Sequence, residues 1–355
     1  MINELSALHR GRGEGLPPGG SPAKRRDGTT RAHVWLRAIF LFFALIPWSC
    51  WIFPPAWGQR TAAQNADAAA WCADPSKPDL AIGACSGLLD NADLGIAVRA
   101  ETLNRRGIAL LAAKRFPEAL KDFAEAVRLV PGHPEYLRNR GSARGVTGDL
   151  GGALEDFEAA IARDPQDPVS YLHRGDAFVV LGRVNRGLED LHQAIRLKPD
   201  YADAYRSRGH TYALLGEPKL AIRDYDAALR IQPDYPEVLV NRGIEYSRMD
   251  QHDRAIEDYN EALRLNPASA EAYANRGSAY FRKGNAGRAI EDLDAALRLN
   301  PTMPEAYYNR ALAHYVKGDR DAAMADFIQA RQLDPRFPEP PTDLLDSIVV
   351  PVPER

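Results

Sequence analysis

Proline stands at Pro131, Pro165, Pro199, Pro233, Pro267, Pro301 and Pro335, each 34 residues after the last and with no insertion between them. A chain that holds such a register is built from copies of one short unit, and a unit of this length has room for two helices and two turns but not for a core of its own. In the copy running from Pro236 to Ser269, Leu239, Gly243 and Tyr246 recur at helical spacing, and Ala255, Tyr259 and Ala262 do the same. Each stretch therefore has one stripe to bury, and the unit is a helical hairpin that needs neighbours.

Seven copies span Ala100 to Phe337. Counted from the first residue of each copy, position 8 is Gly107, Gly141, Gly175, Gly209, Gly243, Gly277 and Ala311; position 27 is alanine throughout, and position 20 is alanine except at Gly187. Position 24 is large: Phe123, Phe157, Leu191, Tyr225, Tyr259, Leu293 and Phe327. This alternation of small and large residues at a fixed period resembles the tetratricopeptide repeat family over about two-thirds of the chain. The resemblance implies an all-α fold, a right-handed superhelical α-solenoid whose first helices line a concave groove. It also implies a protein or peptide ligand in that groove.

The net charge of −3 is unevenly placed: residues 1–58 hold seven Lys and Arg against three Asp and Glu, which leaves −7 on the rest. A repeat array of that sign argues against a nucleic-acid partner. Residues 1–33 are polar and basic without helical or strand period, and Ala38 to Ile46 is an apolar run behind Arg37. With the small-x-small site Ala56-Trp57-Gly58, residues 1–58 read as a disordered basic segment plus a secretory signal. An uncleaved anchor over Val34 to Phe53 is the alternative, interrupted by Arg37 and Pro47. The long basic segment also fits a start downstream of Met1. Arg25-Arg26 and Cys50 lack the contexts of a twin-arginine signal and a lipobox.

Removing such a signal leaves two cysteines, Cys72 and Cys85, the even count of an exported domain, and residues 59–99 are expected to form an N-terminal cap tethered by their disulfide. A helix starting at Pro78-Asp79-Leu80 carries Ile82, Cys85, Leu88 and Leu89 on one side. Two cysteines without a nearby histidine make a poor zinc site. At the other end, residues 338–355 hold Leu344, Leu345, Ile348 and Val349 behind Thr342, a short capping helix, and then a proline-rich tail.

Two uniform rows depart from the family pattern or sharpen it. Position 7, where the family usually has leucine, is arginine in all seven copies from Arg106 to Arg310, and position 23 is aspartate from Asp122 to Asp326. Position 7 falls on the buried stripe and position 23 between the small residues at 20 and 27, so the charges demand each other and a ladder of Arg–Asp bridges is expected, with a ligand-binding arginine row as the alternative. Pro134-Glu135, Pro236-Glu237, Ala270-Glu271 and Pro304-Glu305 start first helices, where proline and a carboxylate fit the helix N-terminus. Gly148, Gly182, Gly216, Gly284 and Gly318 are where first helices should end.

Function is sought on the groove stripe. Position 6 holds Arg105, Asn139, His173, Ser207, Asn241, Asn275 and Asn309. Asn241, Asn275 and Asn309 match an asparagine row with which superhelical relatives grip an extended main chain, because an amide both donates and accepts. Arg248, Arg282, Phe281, Tyr308 and Tyr315 flank them as candidate partner-binding residues, with plain solvated polarity as the competing reading. The lysine pattern of chaperone-binding relatives is absent, since position 2 is acidic. Catalysis finds no phosphate loop and no activated nucleophile, so the expectation is a non-enzymatic adaptor without cofactor or metal. His173, Asp176, Asp203 and His210 are the one set that a metal-dependent or pH-sensitive groove could use. The expected setting is periplasmic or secreted, or the inner membrane if the anchor persists.

Overall fold

The computed structural model describes residues 62–74 and 76–345. The signal or anchor segment, Gln59, and Ile348 and Val349 of the tail lie outside the described residues. Two helices come first, α1 (Ala62–Cys72) and α2 (Pro78–Leu89). The repeats then supply helix pairs: α3 (Ile96–Ala112) with α4 (Phe116–Leu129), α5 (Pro134–Val146) with α6 (Leu150–Arg163), and α7 (Pro168–Val180) with α8 (Val184–Leu197). They continue as α9 (Ala202–Leu214) with α10 (Pro218–Ile231), α11 (Pro236–Arg248) with α12 (His252–Leu265), and α13 (Ala270–Arg282) with α14 (Ala286–Leu299). The last pair is α15 (Pro304–Lys317) with α16 (Arg320–Leu333), followed by the single turn α17 (Thr342–Leu345). The described residues up to Pro131 form one compact unit, and those from Gly132 onward form another.

Close approach within each pair follows from the small residues. A Cβ added at Gly243 would stand 2.6 Å from the Tyr259 ring, and one added at Gly187 would stand 2.5 Å from a Val179 methyl. The rings that fill the space are fully enclosed: Phe123, Phe157, Tyr225, Tyr259 and Phe327 are all at or below 1% exposure. Between its helices the chain reverses through a left-handed residue, which is glycine at Gly148, Gly182, Gly216, Gly284 and Gly318, as the sequence indicates. Lys114 (φ 59°) and Asp250 (φ 57°) take that place in the first and fifth repeats.

The two charged rows meet. In every repeat the position-7 arginine makes a two-pronged contact with the position-23 aspartate of the same repeat; Arg242 Nε and Nη2 donate to Asp258 at 2.9 and 2.6 Å. The other six pairs repeat the fork. The aspartate side chains are 2–10% exposed and the arginines 12–24%. The arginine is therefore set beside the packed stripe rather than within it, and in four repeats it lies 5.4–5.6 Å over the position-4 tyrosine, Tyr171, Tyr205, Tyr273 or Tyr307. Its remaining Nη1 reaches back to the preceding repeat, donating to Asp226 from Arg242, to Asn260 from Arg276 and to Asp294 from Arg310.

In the N-terminal unit α1 and α2 pair, and α2 packs on α3. The sequence reading expected one helix here; α1 adds a second before it. Arg106 Nη1 donates to Ser86 Oγ on α2 at 3.0 Å, so α2 supplies the acceptor that a preceding repeat would have supplied. Cys72 at the end of α1 and Cys85 on α2 are joined, and both are buried. At the far end of the other unit, Leu344 of α17 is 1% exposed against Phe327 and Ala311.

The fork gives a graded prediction. Asp258→Ala leaves Arg242 half-buried with one prong pair unmet and should cost about 3 kcal/mol in a denaturant melt, with much of it recovered when both partners are made apolar. Asp226→Ala removes only the outer contact, on a side chain 38% exposed, and should cost less than about 1 kcal/mol. Equal losses at the two sites would show that the fork is no stronger than a surface pair.

Candidate peptide-binding face

From α5 onward the first helices of neighbouring repeats meet: α5 with α7, α7 with α9, α9 with α11, α11 with α13 and α13 with α15. They line a common face, and positions 6, 9 and 13 look onto it. At three junctions position 6 bonds position 9 of the preceding repeat. His173 Nδ1 and Ser142 Oγ are 2.9 Å apart, Ser207 Oγ donates to Asp176 at 3.4 Å, and Asn309 Nδ2 donates to Ser278 Oγ at 2.8 Å.

These rungs change the reading of the asparagine row. Asn309 is engaged with its neighbour, and the Asn241 amide nitrogen is buried without a recorded partner. Asn275 lines a cavity, and the preceding repeat offers it Ile244 at position 9, which cannot accept a hydrogen bond. That cavity is an open cleft of about 390 Å³ between α11 and α13, with Ser247, Arg248, Asp250, His252, Ser278 and Arg282 among its lining. Three candidates from the sequence, Asn275, Arg248 and Arg282, thus come together. Arg248 is held by Glu245 at 2.7 Å and reaches the Ala213 carbonyl at 3.4 Å, while Arg282 is exposed and has no ion pair among the described residues.

The aromatic candidates are placed elsewhere. Tyr308 and Tyr315 pack on the core formed by Ala311, Phe327 and Leu344, and Tyr308 also meets Phe337 at 5.3 Å between ring centres. Phe281 packs on Ala274, Ala286 and Ala289. Their rings close gaps between helices instead of standing free in the cleft, since positions 5 and 12 lean toward the second helix and the next repeat. Ser247, Ser278 and Asp250 were missed. Reading position 9 beside position 6 would have shown the apolar Ile244 opposite Asn275.

His173, Asp176, Asp203 and His210 do not form a metal-holding group: no group of three or more His, Cys, Asp or Glu among the described residues could hold an ion. Burial holds His173 down at about 4 and pushes Asp176 up to about 6. Asp203 accepts from Tyr235 Oη at 2.5 Å. Asp176 Oδ1 is buried without a hydrogen-bond partner, while Arg206 of the next repeat has its Nε 3.7 Å from Asp203 Oδ1. With its folded pKa raised, Asp176 contributes most to stability when protonated, and that contribution is lost as pH rises from 3.8 through about 6. Asp176→Asn should therefore raise the melting temperature near about pH 8 and change it little near about pH 4. A stabilisation of the same size at both would mean that charge burial is not the cause.

With this geometry in hand, the comparisons with known proteins agree on the class of molecule. A tetratricopeptide repeat family model matches residues 104–168, 172–236, 240–304 and 281–336, and the chain belongs to that family. Among solved structures it is similar to the Cut9–Hcn1 hetero-tetramer of the APC/C, with a TM-score of 0.63 and 18% identity over 81% of this chain and 55% of that one. It thus spans about half the length of that relative. It is also similar to PilF of Pseudomonas aeruginosa, with a TM-score of 0.53 and 15% identity over 60% of this chain and 97% of that one. A third likeness is to a tetratricopeptide repeat protein from Parabacteroides merdae, with a TM-score of 0.51 and 20% identity over 68% and 94% of the two chains. At these identities the likeness is one of fold. No curated protein sequence matches the chain.

Proposed function

We propose that this protein is a non-enzymatic adaptor that binds an extended segment of another polypeptide along the face lined by its first helices. The observation that carries the reading is the cleft between α11 and α13, whose lining brings together Asn275, an amide opposite an apolar neighbour, and the two arginines Arg248 and Arg282. An amide of that kind can accept from and donate to a peptide group without selecting its side chain, and the two cations can orient the segment. Tetratricopeptide repeat proteins are in general interaction scaffolds, which supports a protein partner of some kind.

The test is a photo-crosslinking residue introduced at position 275 and, as a control, at exposed Glu291 on α14. Crosslinks in cells to a polypeptide from position 275 and not from 291 are expected; the reverse pattern would place recognition on the second helices. Against the partner so captured, Asn275→Ala combined with Arg248→Ala and Arg282→Ala should weaken binding about a hundredfold, at roughly 1 kcal/mol per contact, with the helical signal unchanged.

Export belongs to the same proposal. Two buried cysteines joined across α1 and α2 suit an oxidising compartment, and a mature N-terminus at Gln59 is expected if residues 1–58 are a cleaved signal. The bond closes a short loop and should contribute about 3 kcal/mol, concentrated on α1 and α2. Protein isolated from its native host whose Cys72 and Cys85 both react with a maleimide before reduction would remove this part of the proposal. Retention in the membrane after carbonate washing would instead favour the anchored form of the same adaptor.

A further inference from the structure

The cleft between α11 and α13 takes a carboxylate from one repeat and a guanidinium from the next. The carboxylate is Asp250, in the turn that follows α11, and the guanidinium is Arg282, in the last turn of α13. Asp250 reverses the chain at φ 57°, in the place that five other repeats give to glycine. An L residue is strained there, aspartate less than most, so the turn itself does not call for this side chain. The Asp250 side chain is 95% exposed, and its ion pair among the described residues is a long one, 3.7 Å to His252 Nε2. Arg282 is exposed and has no ion pair among the described residues. The other cations nearby are engaged, Arg248 with Glu245 and Lys283 with Asp253. The cleft is therefore dipolar: one open carboxylate from the fifth repeat and one open guanidinium from the sixth line it, and no ion pair among the described residues joins them. A carboxylate before α12 and a cation at the end of α13 each suit a helix dipole, which accounts for either charge taken singly. It does not account for an aspartate where glycine serves the turn, set on the same cleft as an uncommitted arginine and the Asn275 amide.

We propose that this cleft selects an extended segment of a partner polypeptide that carries a Lys or Arg side chain and an Asp or Glu side chain at neighbouring positions, the base held by Asp250 and the acid by Arg282. The inference rests on the adaptor reading above and adds to it the composition of the segment and the direction in which it lies. A segment laid along the first helices passes from one repeat to the next, so its base meets the fifth repeat and its acid the sixth. A single charge on the cleft would accept a segment running either way. Two unlike charges on successive repeats accept one order and repel the other. A segment with two like charges gains one contact and loses the other, so it is rejected as well. Asp250 and Arg282 thus set specificity, while Asn275 pairs with the main chain and reads no side chain.

A random-peptide display library selected on the purified disulfide-bonded protein tests this without knowledge of the natural partner. Enriched peptides are expected to carry a basic and an acidic residue close together and in one order along the chain. Their affinity, read by fluorescence anisotropy, should fall about tenfold with Asp250→Asn, with Arg282→Gln, and when the peptides are resynthesised in the reverse charge order. Reselection on Asp250→Lys plus Arg282→Asp should return the opposite order; lysine is chosen because Lys114 already takes that turn in the first repeat. Circular dichroism checks that each variant stays folded, and the two single neutral variants decide the matter if the double variant does not fold. Asp250→Gly should melt no lower than wild type while losing the same affinity. A lower melting temperature would make the carboxylate a device of the fold and overturn its assignment to the partner. Peptides that show no charge pairing, or bind equally in both orders, yet weaken with Asn275→Ala, would overturn the dipolar site and leave the adaptor reading intact. No enrichment of any sequence would count against both.

Discussion

The fork between a position-7 arginine and a position-23 aspartate is the constraint on which the rest depends. Each helix pair is drawn together over small residues, and that approach leaves room for rings but places a carboxylate where water hardly reaches. Asp258 at 8% side-chain exposure is tolerable because two guanidinium N–H groups meet its two oxygens. A planar fork matches a carboxylate in a way that an ammonium cannot, so lysine would not substitute. In the last three repeats a further N–H then ties the repeat to the one before it, and in four repeats the flat face of the guanidinium covers a tyrosine. One side chain thus braces the inside of every repeat and, in the last three, the junction with the repeat before.

That economy leaves the first-helix face free to vary. The rungs between positions 6 and 9 use whatever polar pair a junction offers, from His173 with Ser142 to Asn309 with Ser278. Where Ile244 breaks the series, an unused amide and a cleft appear together. The candidate site lies at a junction without a rung, and its lining comes from neighbouring repeats.

The helices, their order and the partners of the charged rows were legible because each is stated seven times, and a uniform residue at a fixed period has only one environment to fit. Pro78 and Thr342 likewise announced α2 and α17. The helix α1 was not seen, since AAQNADAAAWC has alanines on every side and no stripe that fixes a face. The fate of the asparagines escaped for a different reason. Asn241, Asn275 and Asn309 are identical in sequence terms, and only the residue across the junction, His210, Ile244 or Ser278, separates them. Tyr308 and Tyr315 were misplaced in the same way, because the end of an array has a cap to cover and interior repeats do not.

The junction contact has a consequence for how such a chain can change in length. Because the fork is internal to the repeat, losing or gaining a whole unit leaves every fork intact and alters only contacts at the new seam, the Nη1 partner and the position 6–9 pair among them. Removing residues 270–303 would set Arg310 against Asn260 in place of Asp294, exchanging an ionic contact for a neutral one at a half-exposed site. The array can therefore lengthen or shorten by recombination at modest cost to its folding. What such an event does alter is the order of groups along the first helices, so changes in repeat number would reshape recognition faster than they erode stability.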